Sequence, residues 1–273
     1  MALDLLTIRA VILDMDGVLW RGEQVLPGVA EFFAFLGRRH IPFLLATNNS
    51  TRTVASYVEH LQAAGVPAQP QHVITSAVAT ADYIRQHYPT ETPVYIIGQE
   101  GIRRAMAEHG FREAPAEARL VVVGMDFHVT YAKLKTATLR IRAGADFIGT
   151  NGDRTFPIPE GLAPGNGSIL AALEAATDVQ PLIIGKPQKP MFEMALARLN
   201  TAPQHTLMVG DRLETDILGA QRVGIRTALV LTGITTPEHA RQAHTQADGV
   251  FASLAALHAD WQAALDAVGT FHA

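Results

Sequence analysis

The chain has 273 residues, of which 48% are hydrophobic and 18% are charged, and its formal net charge is −4. This composition supports a sizeable hydrophobic core and excludes an intrinsically disordered chain. The absence of cysteine excludes disulfides, thiolate metal sites and cysteine nucleophiles. Basic residues are too few and too scattered to form a nucleic-acid-binding surface or a polybasic membrane patch.

The N-terminal segment has neither the basic start nor the apolar stretch of a signal peptide. No apolar run approaches the roughly 18 residues that a membrane-spanning helix needs. We therefore expect a cytoplasmic protein that binds neither nucleic acid nor membrane.

Short apolar runs alternate with amphipathic segments along most of the chain. The runs predict strands at Val11–Leu13, Phe43–Ala46, Val94–Ile97, Leu120–Val123, Phe147–Ile148, Leu182–Ile184, Leu207–Val209 and Thr227–Leu231. The segments between them predict helices at Ala30–Arg39, Thr53–Ala64, Gly101–His109, Tyr131–Ala143, Ser168–Ala176, Pro190–Leu199 and Thr215–Val223. This alternation is typical of βαβ units, so the predicted fold class is α/β with a mostly parallel sheet. Pro157–Gly167, rich in proline and glycine, is predicted to be an ordered loop.

Four of the predicted strands end in polar residues. Asp14 and Asp16 follow the first strand, Thr47 and Asn48 the second, Lys186 follows Leu182–Ile184, and Asp211 and Asp216 follow Leu207–Val209. Ligands of open parallel sheets bind at the carboxyl ends of the strands. If these four strands share a sheet, the polar residues meet at one edge. The ends of the strands near residues 97, 123 and 149 lack this set of residues and indicate a second unit.

The residue types at these strand ends fit a cation and a phosphate. Carboxylates without histidine or cysteine offer oxygen ligands, which suit Mg²⁺. A lysine and a hydroxyl can hold phosphate oxygens. Simpler structural interpretations remain open for each position. Asn48 and its neighbours could cap the following helix, and an acid such as Asp216 is favoured in a first helical turn.

The four segments, taken in order, resemble the motifs of haloacid dehalogenase-like hydrolases. They are Asp14-Met-Asp16-Gly17-Val18, Ala46-Thr47-Asn48-Asn49, Gly185-Lys186-Pro187, and Gly210-Asp211-Arg212-Leu213-Glu214-Thr215-Asp216. The resemblance spans almost the whole chain. It implies a Rossmann-like core with a mostly parallel sheet and a second α/β domain, the cap.

Spacing between the motifs indicates the subclass. Thr47 follows Asp14 by 33 positions, whereas Lys186 follows Thr47 by 139. An insertion between the second and third motifs is the mark of a C2 cap, so we expect the core at residues 1–79 and 183–273 and the cap at residues 80–182. The segments 149–157 and 164–168 resemble subclass IIA. That subclass includes p-nitrophenyl phosphatases, phosphoglycolate phosphatases and pyridoxal phosphate phosphatases.

The resemblance also implies a role for each motif residue. Asp14 corresponds to the nucleophile, and Asp16 to the general acid and base. The residues that correspond to phosphate-binding positions are Thr47, Asn48 and Lys186. Those that correspond to Mg²⁺ ligands are Asp14, Asp211 and the Asp16 backbone carbonyl, and Asp216 corresponds to a residue that orients a metal-bound water or Lys186. An aspartate at position 16 favours phosphate esters, because a halide leaving group needs no proton.

The expected function is Mg²⁺-dependent hydrolysis of small phosphate monoesters through an aspartyl-phosphate. The alternatives are a phosphomutase and a non-catalytic metabolite-binding protein. Substrate choice is expected to depend on the cap, where the candidate residues are Asp126, His128, Asp153 and Arg154. Trp20-Arg21-Gly22 corresponds to a mobile flap, and a homodimer formed through the cap is implied by the resemblance.

Overall fold

The computed structural model describes residues 3–158 and 160–269. The strands are β1 (Ala10–Leu13), β2 (Trp20–Arg21), β3 (Gln24–Val25), β4 (Phe43–Thr47), β5 (Val73–Thr75), β6 (Val94–Ile97), β7 (Leu120–Val123), β8 (Asp146–Gly149), β9 (Thr155–Ile158), β10 (Gly161–Pro164), β11 (Leu182–Ile183), β12 (Thr206–Gly210), β13 (Arg226–Val230) and β14 (Gly249–Phe251). The α-helices are α1 (Val29–Arg38), α2 (Val54–Ala63), α3 (Ser76–His87), α4 (Glu100–Glu108), α5 (Tyr131–Arg142), α6 (Asn166–Thr177), α7 (Lys189–Leu199), α8 (Leu218–Gln221), α9 (Pro237–Gln242) and α10 (Leu254–Gly269). The α/β class predicted from the sequence is confirmed.

A six-stranded sheet runs in the order β14-β13-β12-β1-β4-β5. Its central strand β1 pairs in parallel with β12 on one side and β4 on the other. All four residues of β1 are completely buried, as expected for a strand covered on both faces. Because β1, β4 and β12 are parallel, Asp14, Thr47 and Asp211 lie at the same edge of this sheet.

A second sheet has four parallel strands in the order β11-β8-β7-β6. Strands β6, β7 and β8 therefore form the second unit that their strand ends indicated. The condition that the strand before Lys186 shares a sheet with β1 is not met, because β11 pairs with β8. Ile183 packs against the hydrophobic cluster of this second sheet, which explains why β11 joins it.

Two short antiparallel hairpins interrupt the parallel pattern, one formed by β2 and β3 and the other by β9 and β10. The ordered loop predicted at Pro157–Gly167 is therefore wrong over part of its length. Phe156 pairs with Ala163 across the second hairpin, and helix α6 begins soon afterwards at Asn166. Proline is tolerated in such a two-stranded ribbon because its edges need no further hydrogen bonds.

The chain divides into two compact units. The first contains the residues up to Thr47, Val58–Ile74 and the residues from Phe192 onwards, and the second contains Asn48–Tyr57 and Thr75–Met191. The boundaries expected from the sequence, at residues 80 and 182, stay a prediction. Within the described ranges 3–158 and 160–269, no helix is both long and apolar enough to cross a membrane.

Candidate active site

Asp14 occupies the end of the buried central strand of the six-stranded sheet. Its backbone N–H donates to the carbonyl oxygen of Val209 at 2.9 Å, which continues the pairing of β1 with β12. Asp14 as a whole is only 8% exposed. The sheet thus fixes the Asp14 backbone, and it presents a largely desolvated carboxylate at the edge where ligands of such sheets bind.

Three carboxylates form an acidic cluster, which we define as Asp14, Asp211 and Asp216. Oxygen atoms from the three lie within 4.8 Å of one another, and all three residues are buried. Like charges this close in a partly desolvated site repel strongly unless a cation or a shared proton offsets them. Oxygen-only donors are the ligands that hard divalent cations prefer, so the cluster fits a magnesium ion.

Asp216 is fixed within the cluster by the loop that precedes it. Its Oδ2 accepts hydrogen bonds from the backbone N–H groups of Asp211, at 3.2 Å, and Arg212, at 3.1 Å. The helix predicted at Thr215–Val223 is instead a π-helical turn at Leu213–Ile217 followed by the short α8. This wider turn directs the Asp216 carboxylate back towards the end of β12.

A second loop, residues 232–235, positions Asp211. The backbone N–H of Ile234 donates to Asp211 Oδ2 at 2.6 Å, and the N–H of Thr235 donates to the Asp211 carbonyl at 3.1 Å. A Cβ atom added to Gly233 would lie 1.9 Å from Asp211 Oδ2, so only glycine fits there. Sequence reasoning missed this loop because it acts through backbone atoms. A glycine close behind the end of β13 was its only signal.

Gly17 allows the first motif to turn beside Asp211. Its φ is +81°, in the left-handed region that favours glycine, and a Cβ there would lie 2.6 Å from Asp211 Oδ2. Its carbonyl accepts a hydrogen bond from Thr232 Oγ1 at 2.6 Å. The glycine of the first motif is therefore a steric requirement of the acidic cluster.

Asp16 lies outside the acidic cluster and is exposed, unlike Asp14. Its Oδ1 accepts a hydrogen bond from the indole Nε1 of Trp20 at 2.9 Å. Trp20 is 3% exposed and packs edge-on against the ring of His60, with ring centroids 4.6 Å apart. Trp20 is the first residue of β2, and its hydrogen bond restrains the carboxylate that is predicted to move protons.

In the second unit, Asn48 holds the backbone on both sides of Lys186. Its Nδ2 donates to the Lys186 carbonyl at 2.9 Å and to Asp153 Oδ2 at 3.1 Å, and its Oδ1 accepts from the Lys186 N–H at 2.8 Å. Lys186 is 2% exposed. Both amide protons of Asn48 are used in this arrangement.

Asn48 does not cap helix α2, which was one of the structural alternatives. The N–H of Ser56 instead donates to Thr53 Oγ1 at 3.2 Å, so Thr53 supplies the side-chain cap. Thr47, the last residue of β4, is 2% exposed at the edge of the six-stranded sheet. Contact of these residues with phosphate stays a prediction.

Asn48→Ala is expected to lower the free energy of unfolding by about 2–4 kcal/mol, because it leaves the backbone groups of a buried lysine without partners. Denaturant unfolding measures the loss. Asn49→Ala is a matched control, since Asn49 is also half-buried and its Oδ1 accepts bonds from neighbouring Thr51. A loss no larger than that of Asn49→Ala would show that Asn48 does not support Lys186.

The four candidate specificity residues differ in their surroundings. Asp126 is 2% exposed and forms an ion pair with Lys133 Nζ at 2.6 Å, so it stabilises the start of α5. It also accepts from the backbone N–H of His128 at 2.9 Å. Asp153 bonds to Asn48, whereas the Arg154 residue is exposed. Of these four residues, Asp153 is the one with a hydrogen bond to a motif residue among those that the structure describes.

The chain matches models of one hydrolase family over both parts of its sequence. Residues 11–112 match the model described as haloacid dehalogenase-like hydrolase, and residues 183–257 match a HAD-hydrolase-like model. The chain is 42% identical over 233 residues to 5'-nucleotidase YutF of Bacillus subtilis, which covers 85% of this chain and 91% of the relative. It is 41% identical over 231 residues to the acid sugar phosphatase of Staphylococcus epidermidis, covering 84% of this chain and 89% of the relative.

Solved structures agree with these matches. The 4-nitrophenylphosphatase of Thermotoga maritima superimposes with a TM-score of 0.89 at 35% identity, over 93% of this chain and 97% of that chain. NagD of E. coli superimposes with a TM-score of 0.85 at 29% identity, over 91% of this chain and 97% of that chain. Both likenesses extend over nearly the whole length, so they include both compact units.

Proposed function

Because the chain belongs to the haloacid dehalogenase-like hydrolases, subclass IIA, and is a phosphoric monoester hydrolase, we propose a specific reaction for it. It hydrolyses small-molecule phosphate monoesters with Mg²⁺ through an aspartyl-phosphate on Asp14. The observation that carries this proposal is the buried acidic cluster at the edge of the six-stranded sheet, with the exposed Asp16 two residues from Asp14.

In the first half-reaction, a carboxylate oxygen of Asp14 attacks the phosphorus atom of the substrate. A bond forms between that oxygen and phosphorus, and the bond from phosphorus to the ester oxygen breaks. Protonated Asp16 gives its proton to the departing oxygen, so the product leaves as a neutral alcohol. Asp14 then carries the phosphoryl group, and Asp16 is a carboxylate.

In the second half-reaction, water replaces Asp14 at phosphorus. The Asp16 carboxylate takes a proton from the attacking water, and the bond between the Asp14 oxygen and phosphorus breaks. Inorganic phosphate leaves, Asp14 regains its free carboxylate, and Asp16 is again protonated. The same residue serves as acid and then as base, so each cycle restores both aspartates.

Asp14, Asp211 and the Asp16 carbonyl would hold Mg²⁺, which when bound would supply positive charge to offset the repulsion between the carboxylates and the phosphate. Asp216 fixes the loop that carries Asp211. Thr47, the backbone N–H of Asn48, and Lys186 are proposed to bind the phosphate oxygens, because a hydroxyl, an amide and an ammonium can all donate to them.

The names of two relatives suggest the first substrates to test. One is a 5'-nucleotidase and another an acid sugar phosphatase, so nucleoside monophosphates and sugar phosphates are the classes proposed for this chain. The cytoplasmic location and a homodimer formed through the cap stay predictions.

A phosphate-release assay tests the proposal. With Mg²⁺, the protein is expected to release inorganic phosphate from p-nitrophenyl phosphate and from at least one nucleoside or sugar phosphate. Removal of the metal with a chelator should lower the rate by at least about a hundredfold, because the carboxylate charges are then no longer offset, and added Mg²⁺ should restore it.

The same assay separates the alternatives. Isomerised sugar phosphate without free phosphate would indicate a phosphomutase. Binding of a phosphorylated metabolite without any turnover would indicate a non-catalytic protein. Full activity after chelation would contradict the metal-dependent mechanism.

A further inference from the structure

Trp20 donates a hydrogen bond to the residue proposed to carry the proton, although the chain offers many other acceptors. A buried indole N–H needs an acceptor, and a backbone carbonyl would satisfy it equally well. Here the acceptor is Oδ1 of the exposed Asp16, at 2.9 Å. Oδ2 of the same carboxylate has no hydrogen-bond partner among the residues that the structure describes. The two oxygens of Asp16 therefore have different environments.

The local backbone holds the two side chains together. The N–H of Gly17 donates to the Trp20 carbonyl at 2.7 Å, which closes the turn between Asp16 and Trp20. The N–H of Leu19 donates to the Met15 carbonyl at 2.8 Å within the same turn. Trp20 also begins β2, whose hairpin partner β3 pairs Val25 with it. The indole is thus anchored by its own backbone as well as by its ring.

Packing fixes the indole ring on its other side. Trp20 is 3% exposed, and the His60 ring meets it edge-on with centroids 4.6 Å apart. A buried, packed ring has few rotamers available, whereas an exposed aspartate alone would sample several. Because the ring is fixed, its hydrogen bond also restricts the rotamers of the exposed Asp16 carboxylate.

The chemistry of the donor decides where the Asp16 proton resides. An indole N–H can only donate, so the oxygen that faces it must act as an acceptor in both protonation states of the carboxyl group. The carbonyl oxygen of a carboxylic acid is a better acceptor than its hydroxyl oxygen, so when Asp16 is protonated this bond favours the form with the proton on Oδ2. When Asp16 is a carboxylate, Oδ2 is the oxygen left to accept a proton from water.

We propose that Trp20 is a positioning residue that holds Oδ1 of Asp16 and thereby presents Oδ2 as the proton-transferring atom. This inference rests on the proposed role of Asp16 as general acid and base. It goes further because it assigns the proton to one oxygen and assigns a function to the flap tryptophan.

Trp20→Phe tests the proposal, because it keeps an aromatic ring and removes the N–H. The readout is kcat/KM for two substrates, p-nitrophenyl phosphate and an alkyl phosphate that the wild-type protein hydrolyses. This parameter reports the steps up to departure of the leaving group. An alkoxide needs a proton as it leaves, whereas p-nitrophenolate needs little help.

Loss of one hydrogen bond to a charged group is expected to lower kcat/KM for the alkyl phosphate about tenfold. The value for p-nitrophenyl phosphate should fall by less than about twofold, since this step depends little on proton transfer. Trp261→Phe is the matched control. Trp261 is also buried in the first unit, but its described contacts are to Phe32 and Phe35, so its ratio of the two kcat/KM values should not change.

A double variant separates a positioning role from a packing role. In an Asp16→Asn background, Trp20→Phe should leave the ratio of the two kcat/KM values unchanged, because the proton donor is already absent. If Trp20→Phe does not fold, replacement of tryptophan by benzothienylalanine in the Trp261→Phe background removes the N–H alone. The same change in the ratio is expected.

Two results would overturn the proposal: an equal fall for both substrates after Trp20→Phe, or an undiminished effect of that change in the Asp16→Asn background. The proposed function fails differently. If Asp16→Asn itself lowered kcat/KM equally for both substrates, Asp16 would not be the general acid, whatever the role of Trp20.

Discussion

Asp14→Asn is expected to lower kcat by about 10⁴-fold or more, because the amide cannot form the aspartyl-phosphate on which both half-reactions depend. The fold should remain, since asparagine has nearly the same shape and the Asp14 backbone is held by β12. Replacement removes one negative charge from the acidic cluster, so the metal-free protein should be at least as stable as the wild type. Phosphate release and thermal unfolding measure the two effects.

Asp14→Asn is also expected to change how strongly Mg²⁺ stabilises the protein. Mg²⁺ should raise the melting temperature of the wild-type protein, because a ligand bound only by the folded state stabilises it. The increase should be smaller for Asp14→Asn, which has lost one ligand. Asp260→Asn is the matched control, since Asp260 is an exposed acid on α10 and the chemical change is the same. Wild-type turnover by Asp14→Asn would show that another group is the nucleophile.

Asp16→Asn is expected to lower kcat/KM for an alkyl phosphate by about 10²- to 10⁴-fold, the usual contribution of a general acid. The loss for p-nitrophenyl phosphate should be much smaller, because its leaving group departs as a stable anion. Steady-state kinetics with both substrates measure the difference, and Asp260→Asn again serves as the control.

The second half-reaction gives Asp16→Asn an additional signature. Without a base to take the proton from water, the phosphoryl group should persist on Asp14, so kcat should fall for both substrates even where kcat/KM does not. Equal losses of kcat/KM for both substrates would contradict the role of Asp16 as the acid.

Much of the parallel architecture could be predicted from the sequence, since buried strands are continuous apolar runs. Val94–Ile97 and Leu120–Val123 were predicted with the bounds that β6 and β7 have. Strand β5 and helix α3 were missed, because Thr75 ends one and caps the other without an intervening turn residue. The buried face of α3 consists largely of alanine, serine and threonine, which give only a weak hydrophobic period.

Sheet membership could not be predicted in the same way. The segment Leu182–Ile184 looks like any other buried strand, yet β11 is only two residues long and joins the second sheet. Its Leu182 is half exposed, as an edge position allows. Strand order depends on which neighbours bury each face, and a local apolar run does not contain that information.

The acids of the cluster could be predicted from the sequence because aspartates that closely follow apolar strands are recognisable by residue type and position. Sequence reasoning missed the groups that hold them in place. The backbone N–H of Ile234 and the clamp of Asn48 on Lys186 come from ordinary residue types, and their function depends on distant parts of the chain. The hydrogen bond from Trp20 to Asp16 was likewise not predicted, although both residues lie within one motif and its flap.

The most direct test of the account is to trap the phosphoryl group. A single turnover of a ³²P-labelled phosphate monoester, quenched with acid, would be followed by digestion and mapping of the labelled peptide in the wild-type and Asp16→Asn proteins. We expect an acid-stable label on the peptide that contains Asp14, with a larger amount in Asp16→Asn and none in Asp14→Asn. Label on any other residue, or complete turnover without covalent label in either protein, would contradict the role of Asp14 as nucleophile.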